Sequence, residues 1–185
     1  ELLHLRLCSM DRAVELSAVI PMLENLGMRA LGERPYRLLR SDGRECWVHD
    51  FSLVYGLPGD VDVPAVAAAV EAAFLAVLAG RAESDGFNRL IAGTRLGWRE
   101  VAVLRAYAKY MKQVRYNFSQ EFIAETLARH PGIARALVEL FLLRFDPARD
   151  GDMAARRDAE GALAGRILAD LERVEQLNED RVLRA

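Results

Sequence analysis

The apolar periodicity of this chain changes once, and that change bounds what it can fold into. Leu3, Leu5 and Leu7 alternate with His4, Arg6 and Cys8. A period of two places the leucines on one face of a strand. From about residue 60 onward, apolar residues recur every three or four positions, the period of an amphipathic helix. Strands confined to the first 57 residues, with helices after them, make an α+β chain.

Local signals fill in the first region. A helix is expected from about Ser17 to Leu26, with the Ser17 hydroxyl as N-cap and Gly27 just past its end. Residues 28–55 read as a hairpin centred on Ser41-Asp42-Gly43-Arg44, where Asp-Gly supplies the positive φ angles of a tight turn. Pro35 marks the first arm as an edge strand or a late start. The order β-α-β-β is three-quarters of a ferredoxin-like domain. A helix at 62–79, capped by Asp62 and stapled by Val61 and Val66, suits its second crossover. The sequence offers no convincing fourth strand. That strand comes from outside these residues, or the sheet stays three-stranded.

Four further helices are expected. They cover about 98–114, Ser119 to Arg129, Gly132 to Arg144, and Met153 to beyond Leu177. In the first, Val101, Leu104, Ala108 and Met111 form one apolar row, and Val103, Tyr107, Tyr110 and Val114 a second. Leu104, Tyr107 and Met111, with Leu137, Leu140 and Phe141 of a later helix, define the expected helical core. The chain divides into an α+β module at 1–80 and a helical domain at 81–185.

Chemistry-bearing motifs are few. The 25 basic and 27 acidic residues balance to −2, which gives no reason to expect nucleic acid or an anionic membrane as partner. No apolar run is long enough to span a bilayer. Glu1-Leu2-Leu3-His4 does not read as a secretory leader. Two cysteines and three scattered histidines supply neither a disulfide scaffold nor a metal site, and a cytoplasmic location follows from that usage. His49 and Asp50 are neighbours on a strand and point to opposite faces, so they make no acid–base pair. Cys8 and Cys46 fall on strands and read as inert thiols. Arg105, Lys109 and Lys112 form a basic stripe, read as a solvated face or an intramolecular docking surface. Asp85-Gly86-Phe87-Asn88 lacks the ligand alternation of a calcium loop. Neither G-x-G-x-x-G nor G-x-x-x-x-G-K occurs, so no ordinary nucleotide site is visible. The chain does not begin with Met and ends within a helical pattern, which leads us to expect a segment of a longer protein.

An ordered series of strings carries a resemblance. It includes Pro21-Met22-Leu23-Glu24-Asn25-Leu26-Gly27, Glu33-Arg34-Pro35-Tyr36, Trp47-Val48-His49-Asp50-Phe51, Asp85-Gly86-Phe87-Asn88-Arg89-Leu90, Trp98-Arg99-Glu100-Val101, Leu104-Arg105-Ala106-Tyr107-Ala108-Lys109-Tyr110, Phe118-Ser119-Gln120 and Leu143-Arg144-Phe145-Asp146-Pro147. The series resembles the large bacterial NAD-specific glutamate dehydrogenases over almost the whole chain. The resemblance implies an ACT-like, ferredoxin-type module joined to a helical segment, N-terminal to a catalytic domain. The implied parent enzyme deaminates L-glutamate oxidatively to 2-oxoglutarate and ammonia and reduces NAD. The family's substrate and nucleotide residues lie downstream, so the resemblance implies no catalytic, cofactor-binding or metal-ligating residue here. Its partners would be the rest of that polypeptide, further copies in a homo-oligomer, and an amino-acid effector. ACT-like modules take small ligands at sheet edges and at the strand-to-helix loop, here Ser9-Met10-Asp11-Arg12. Asp11 and Arg12 are the residues expected to hold an effector's ammonium and carboxylate. Two other readings stand beside this one: a free-standing ACT-type sensor of small molecules, and a helical adaptor for protein partners.

Overall fold

The computed structural model describes residues 2–56, 62–147 and 153–185. Three strands form one antiparallel sheet: β1 (Leu3–Met10), β2 (Met28–Leu39) and β3 (Glu45–Tyr55). Their spatial order is β1-β3-β2, so β1 and β2 are both edges. Helix α1 (Leu16–Asn25) joins β1 to β2, and α2 (Val63–Leu78) follows β3. This is a ferredoxin-like β-α-β-β-α order without the last strand. Pro35 lies on the edge strand opposite His49, where its missing N–H breaks no inner ladder bond.

The strands divide their side chains as the period-two pattern requires. Leu3, Leu5 and Leu7 pair with Leu53, Phe51 and His49, and all face the helices. Phe51 and Leu53 are fully buried there with Val19, Leu23 and Leu26. The opposite face carries an ionic row, Arg6–Asp50–Arg34, beside the exposed Tyr36 and Leu38.

Two local expectations change. Helix α1 starts at Leu16, and its N-cap is Glu15 without a side-chain cap bond, so the Ser17 hydroxyl plays no capping role. The hairpin turn is Ser41-Asp42-Gly43, closed by Arg40 N–H to the Arg44 carbonyl at 2.9 Å. Only Gly43 there has positive φ, at 81°. That is a three-residue turn with glycine in the left-handed position, and Asp42 keeps an ordinary conformation. Gly27 ends α1 with φ of 82°, as expected.

The helical part contains a 3₁₀ turn (Gly86–Asn88), α3 (Arg89–Thr94), α4 (Trp98–Gln113), α5 (Gln120–Arg129), α6 (Pro131–Phe145), α7 (Met153–Leu171) and α8 (Leu177–Arg184). Three side chains hold helix starts, Asp62 as the sequence leads one to expect. The Asp62 carboxylate accepts from Ala65 N–H, Glu100 from Gly97 N–H at 2.7 Å, and Ser119 from Phe122 N–H at 3.1 Å. The staple partner expected at Val61 lies outside the described residues. Pro131 opens α6 as its first residue, where a missing N–H costs nothing.

The expected single last helix is two. It breaks between Leu171 and Leu177 with no proline or glycine there. Tertiary contacts explain the break: α8 buries Val182, Leu183 and the charged Glu179 against the α4–α6 bundle. One buried cluster runs from Val19 and Phe51 through Phe74, Phe87 and Ile91 to Val101, Ile123, Val138 and Leu183. The sheet and the bundle share it, with α2 between them.

Candidate functional site

The strand-to-helix loop after β1 is held from two sides. Asp11 adopts a left-handed conformation with φ of 66° and gives its N–H to the Glu45 carbonyl at 2.9 Å. Its carboxylate is gripped by Arg44, Nη2 to Oδ2 at 2.6 Å and Nε to Oδ1 at 3.3 Å. That guanidinium holds the Asp11 carboxyl below the usual range, through hydrogen bonding first. Arg12 gives its N–H to the Met10 carbonyl, and among the described residues its guanidinium has no acidic partner. The structure therefore brings Asp11 to Arg44 and leaves Arg12 open.

The loop's far end rests on a side chain that sequence reasoning did not connect to it. His49, only 3% exposed, accepts the Val14 N–H at Nε2 over 3.2 Å. Nε2 is therefore unprotonated, and Nδ1–H donates to Glu33 at 2.6 Å. Trp47 and Phe51 flank the ring on the same strand face. The histidine fixes the loop from β3, with its tautomer set by a carboxylate on β2. Asp50 points to the other face, 3.4 Å from His4, so the two neighbours do not meet. Only the alternation that put His49 on the Phe51 face signalled its burial. Glu33, sixteen residues away, carried no signal.

Cys8 and Cys46 are free thiols on adjacent strands, one register step apart and on the solvent side of the sheet. The basic stripe dissolves in the fold. Arg105 is 5% exposed and donates to both oxygens of Asp85, at 2.7 and 2.9 Å, and to Asn88 at 2.6 Å. Its guanidinium lies over the Phe87 ring at 5.7 Å. Lys109 pairs with Glu83. Two of the three stripe residues thus seat residues 83–88, and the Asp85 carboxylate pairs with an arginine side chain. Among the described residues no group of three His, Cys, Asp or Glu side chains is arranged to hold a metal ion. No helix among them is long and apolar enough to cross a membrane.

Two apolar grooves remain. One, about 440 Å³, runs along the free edge of β1, between Leu3, Leu5 and Leu7 and α2 residues Val63, Val66, Val70 and Phe74. The other, about 420 Å³, lies between α4, α6 and α8. It takes in residues expected in the core: Tyr107 is more than half exposed, and Met111, Leu137, Leu140 and Phe141 are half-buried along its walls. The buried side of α6 is instead Ile133, Ala134, Ala136 and Val138. Among the described residues the sheet is antiparallel throughout, unlike the parallel sheet of a dinucleotide-binding fold.

Comparison with known proteins places these features in a family setting. Residues 1–66 match the family model described as glutamate dehydrogenase, ACT3 domain, and residues 82–147 match glutamate dehydrogenase, helical motif 3. NAD-specific glutamate dehydrogenase of Pseudomonas aeruginosa is 47% identical over 182 residues, and that of Halomonas elongata 46% over 184, each covering 98% of this chain. The Mycobacterium tuberculosis protein of the same name is 37% identical over 94% of the chain. The chain spans only 11% of the length of each relative. In sequence and in its ferredoxin-like and helical parts, this chain therefore resembles a segment of the large NAD-specific glutamate dehydrogenases, one comprising an ACT3 domain and helical motif 3.

Proposed function

We propose that this chain is a non-catalytic assembly and regulatory segment of an NAD-dependent glutamate dehydrogenase. The parent polypeptide oxidises L-glutamate to 2-oxoglutarate and ammonia and holds NAD outside these residues, in the cytoplasm and as a homo-oligomer. Within the segment, residues 1–80 act as the ACT-like module and 81–185 as the helical domain.

The observation that carries the assembly role is the open edge of β1. A ferredoxin-like sheet places its fourth strand beside β1, under the second helix. Here that position is a groove with an apolar floor and a row of backbone groups without a ladder partner among the described residues. An exposed edge of this kind is a template for another strand. A strand of the longer polypeptide fits it in shape and polarity. Backbone amide exchange tests this. Alternate amides of β1 are expected to exchange fast in the isolated 185-residue chain and slowly in the full-length protein. Equal exchange in both removes the assembly role.

The regulatory role rests on the loop after β1. Arg12 offers an uncommitted guanidinium to an effector's carboxylate. Asp11 offers an ammonium site once it exchanges its Arg44 partner. Calorimetric titration with an amino-acid panel checks this, with Arg12→Ala expected to weaken binding at least tenfold. Unchanged affinity in that variant places any effector elsewhere. For the non-catalytic reading, the pure chain is expected to form no NADH from glutamate and NAD above a heat-killed control. Hydride transfer needs the nicotinamide held against the substrate carbon. NADH formation by the pure chain removes the whole reading.

A further inference from the structure

We propose that the groove between α4, α6 and α8 is the seat of an amphipathic helix with acidic residues at one end, supplied by the polypeptide beyond these 185 residues. The proposal rests on the segment reading above and adds a second docking surface, far in sequence from the β1 edge.

The floor of the groove is Leu104, Ala108, Ile123, Leu127 and Val182, its walls Met111, Leu137, Leu140 and Phe141. The rim holds Tyr107, Tyr110, Val114 and Phe145, each more than half exposed. Tyr107 meets Phe141 edge to face at 6.1 Å, and Phe141 lies 5.0 Å from Phe145. Four large exposed apolar residues on one face are an interaction mark and not scatter. An apolar groove between helices accepts a further helix, whose side chains at three- and four-residue spacing fill it in a row.

Charge selects the chemistry of the occupant. Beyond the C-terminal end of α4, Arg115 and Arg181 are exposed and have no acidic partner among the described residues. A second, shallower hollow opens there, lined by Arg115, Arg181, Arg184 and Asp180, the last paired with Arg184, and it shares Val114, Tyr116 and Ala185 with the groove. Acidic side chains at that end of the incoming helix find two free cations. The arginines on the neighbouring helix faces are by contrast neutralised: Arg144 by Glu160, Arg135 by Glu139, and Arg184 by Glu172 and Asp180. The relatives supply the source, since nearly nine-tenths of their length lies outside the matched region.

The test uses fluorescence anisotropy with the 185-residue chain and overlapping labelled peptides covering the Pseudomonas aeruginosa relative outside its matched region. At least one amphipathic peptide with an acidic end is expected to bind. Tyr110→Glu is expected to weaken it tenfold or more, raised salt to weaken it further, and Tyr36→Glu on the sheet face to leave it unchanged. No binding up to about 1 mM, the effective concentration a short tether supplies, overturns the proposal. So does binding that ignores Tyr110→Glu. If sedimentation shows a dimer that Tyr110→Glu dissociates, the occupant is a second copy and the proposal falls. None of these outcomes touches the segment reading, which stands or falls on NADH formation by the pure chain.

Discussion

The sheet module and the helical bundle solve the same problem, placing distant segments against one another, by different means. In the sheet the backbone does it. β1 and β2 each run antiparallel to β3 with a defined register, and the only irregularity is the shift between Ala30 and Gly32. In the bundle each helix spends its backbone hydrogen bonds on itself, so nothing in the main chain fixes how two helices meet. Side chains take over that task. Arg105 ties α4 to the 83–88 turn, and Glu179 ties α8 to Arg129 and His130 at the α5–α6 junction. The lesson is that buried charge carries structural information where ladders are absent. The polar group buried in the sheet, His49, serves a loop instead.

The comparison can be broken experimentally, beginning with the largest effect. Phe51→Ala removes a fully buried ring between the sheet and α1 and is expected to cost about 3–5 kcal/mol in chemical denaturation. A loss below about 1 kcal/mol shows that the sheet does not need its apolar face. Arg105→Ala comes next. It strands Asp85 and Asn88, but Asp85 is a third exposed and rehydrates, so the expected cost is about 2–3 kcal/mol. If Glu33→Gln, which disturbs the polar pair in the sheet, costs more than Arg105→Ala, the contrast between the regions fails.

Glu179→Gln sharpens the same contrast through pH. Burial works to raise the Glu179 carboxyl, but hydrogen bonds from His130 and Arg129 outweigh it and hold the group below its ordinary value of 4.5. A carboxyl depressed on folding contributes stability above its unfolded value and loses it as pH falls through the folded one. The wild-type chain is therefore expected to exceed the glutamine variant by about 1–2 kcal/mol at neutral pH. The gap closes below pH 4.5. A gap that does not narrow as pH falls below 4.5 contradicts the ion-pair account of how α8 is placed. The smallest effect is expected for Asp11→Asn. Asp11 and Arg44 are both exposed, so solvent screens the pair and the melting temperature should not change measurably. A clear loss of stability means the loop is a structural clamp.

Much of this architecture was written locally. The alternation at Leu3, Leu5 and Leu7 set the inward face of β1, and Gly43 set the hairpin. Asp62 and Ser119 capped the helices that follow them, and Glu100 reached back to the start of its own helix. Each of these depends on partners within about four residues, so spacing alone reveals it. The α+β class and the β-α-β-β order were legible at that range, and the resemblance to glutamate dehydrogenases lay in the order of many short strings along the chain.

Tertiary structure decided the rest, because the deciding partner lies far along the chain. Arg105 looks solvated on its helix until Asp85, twenty residues earlier, folds onto it. The tyrosines at 107 and 110 continue an apolar row, yet α6 turns Ile133 and Val138 inward and leaves that row on the wall of a groove. The last helix has no local breaker, and it divides because Glu179 finds Arg129 and His130 some fifty residues back. His49 could be read as buried from its strand face, but not as the anchor of the loop that holds Arg12. Periodicity reports which face of an element is apolar. Which apolar face is covered, and which charge is enclosed, depends on how many elements compete for one core, and packing settles that only when the whole chain is in place.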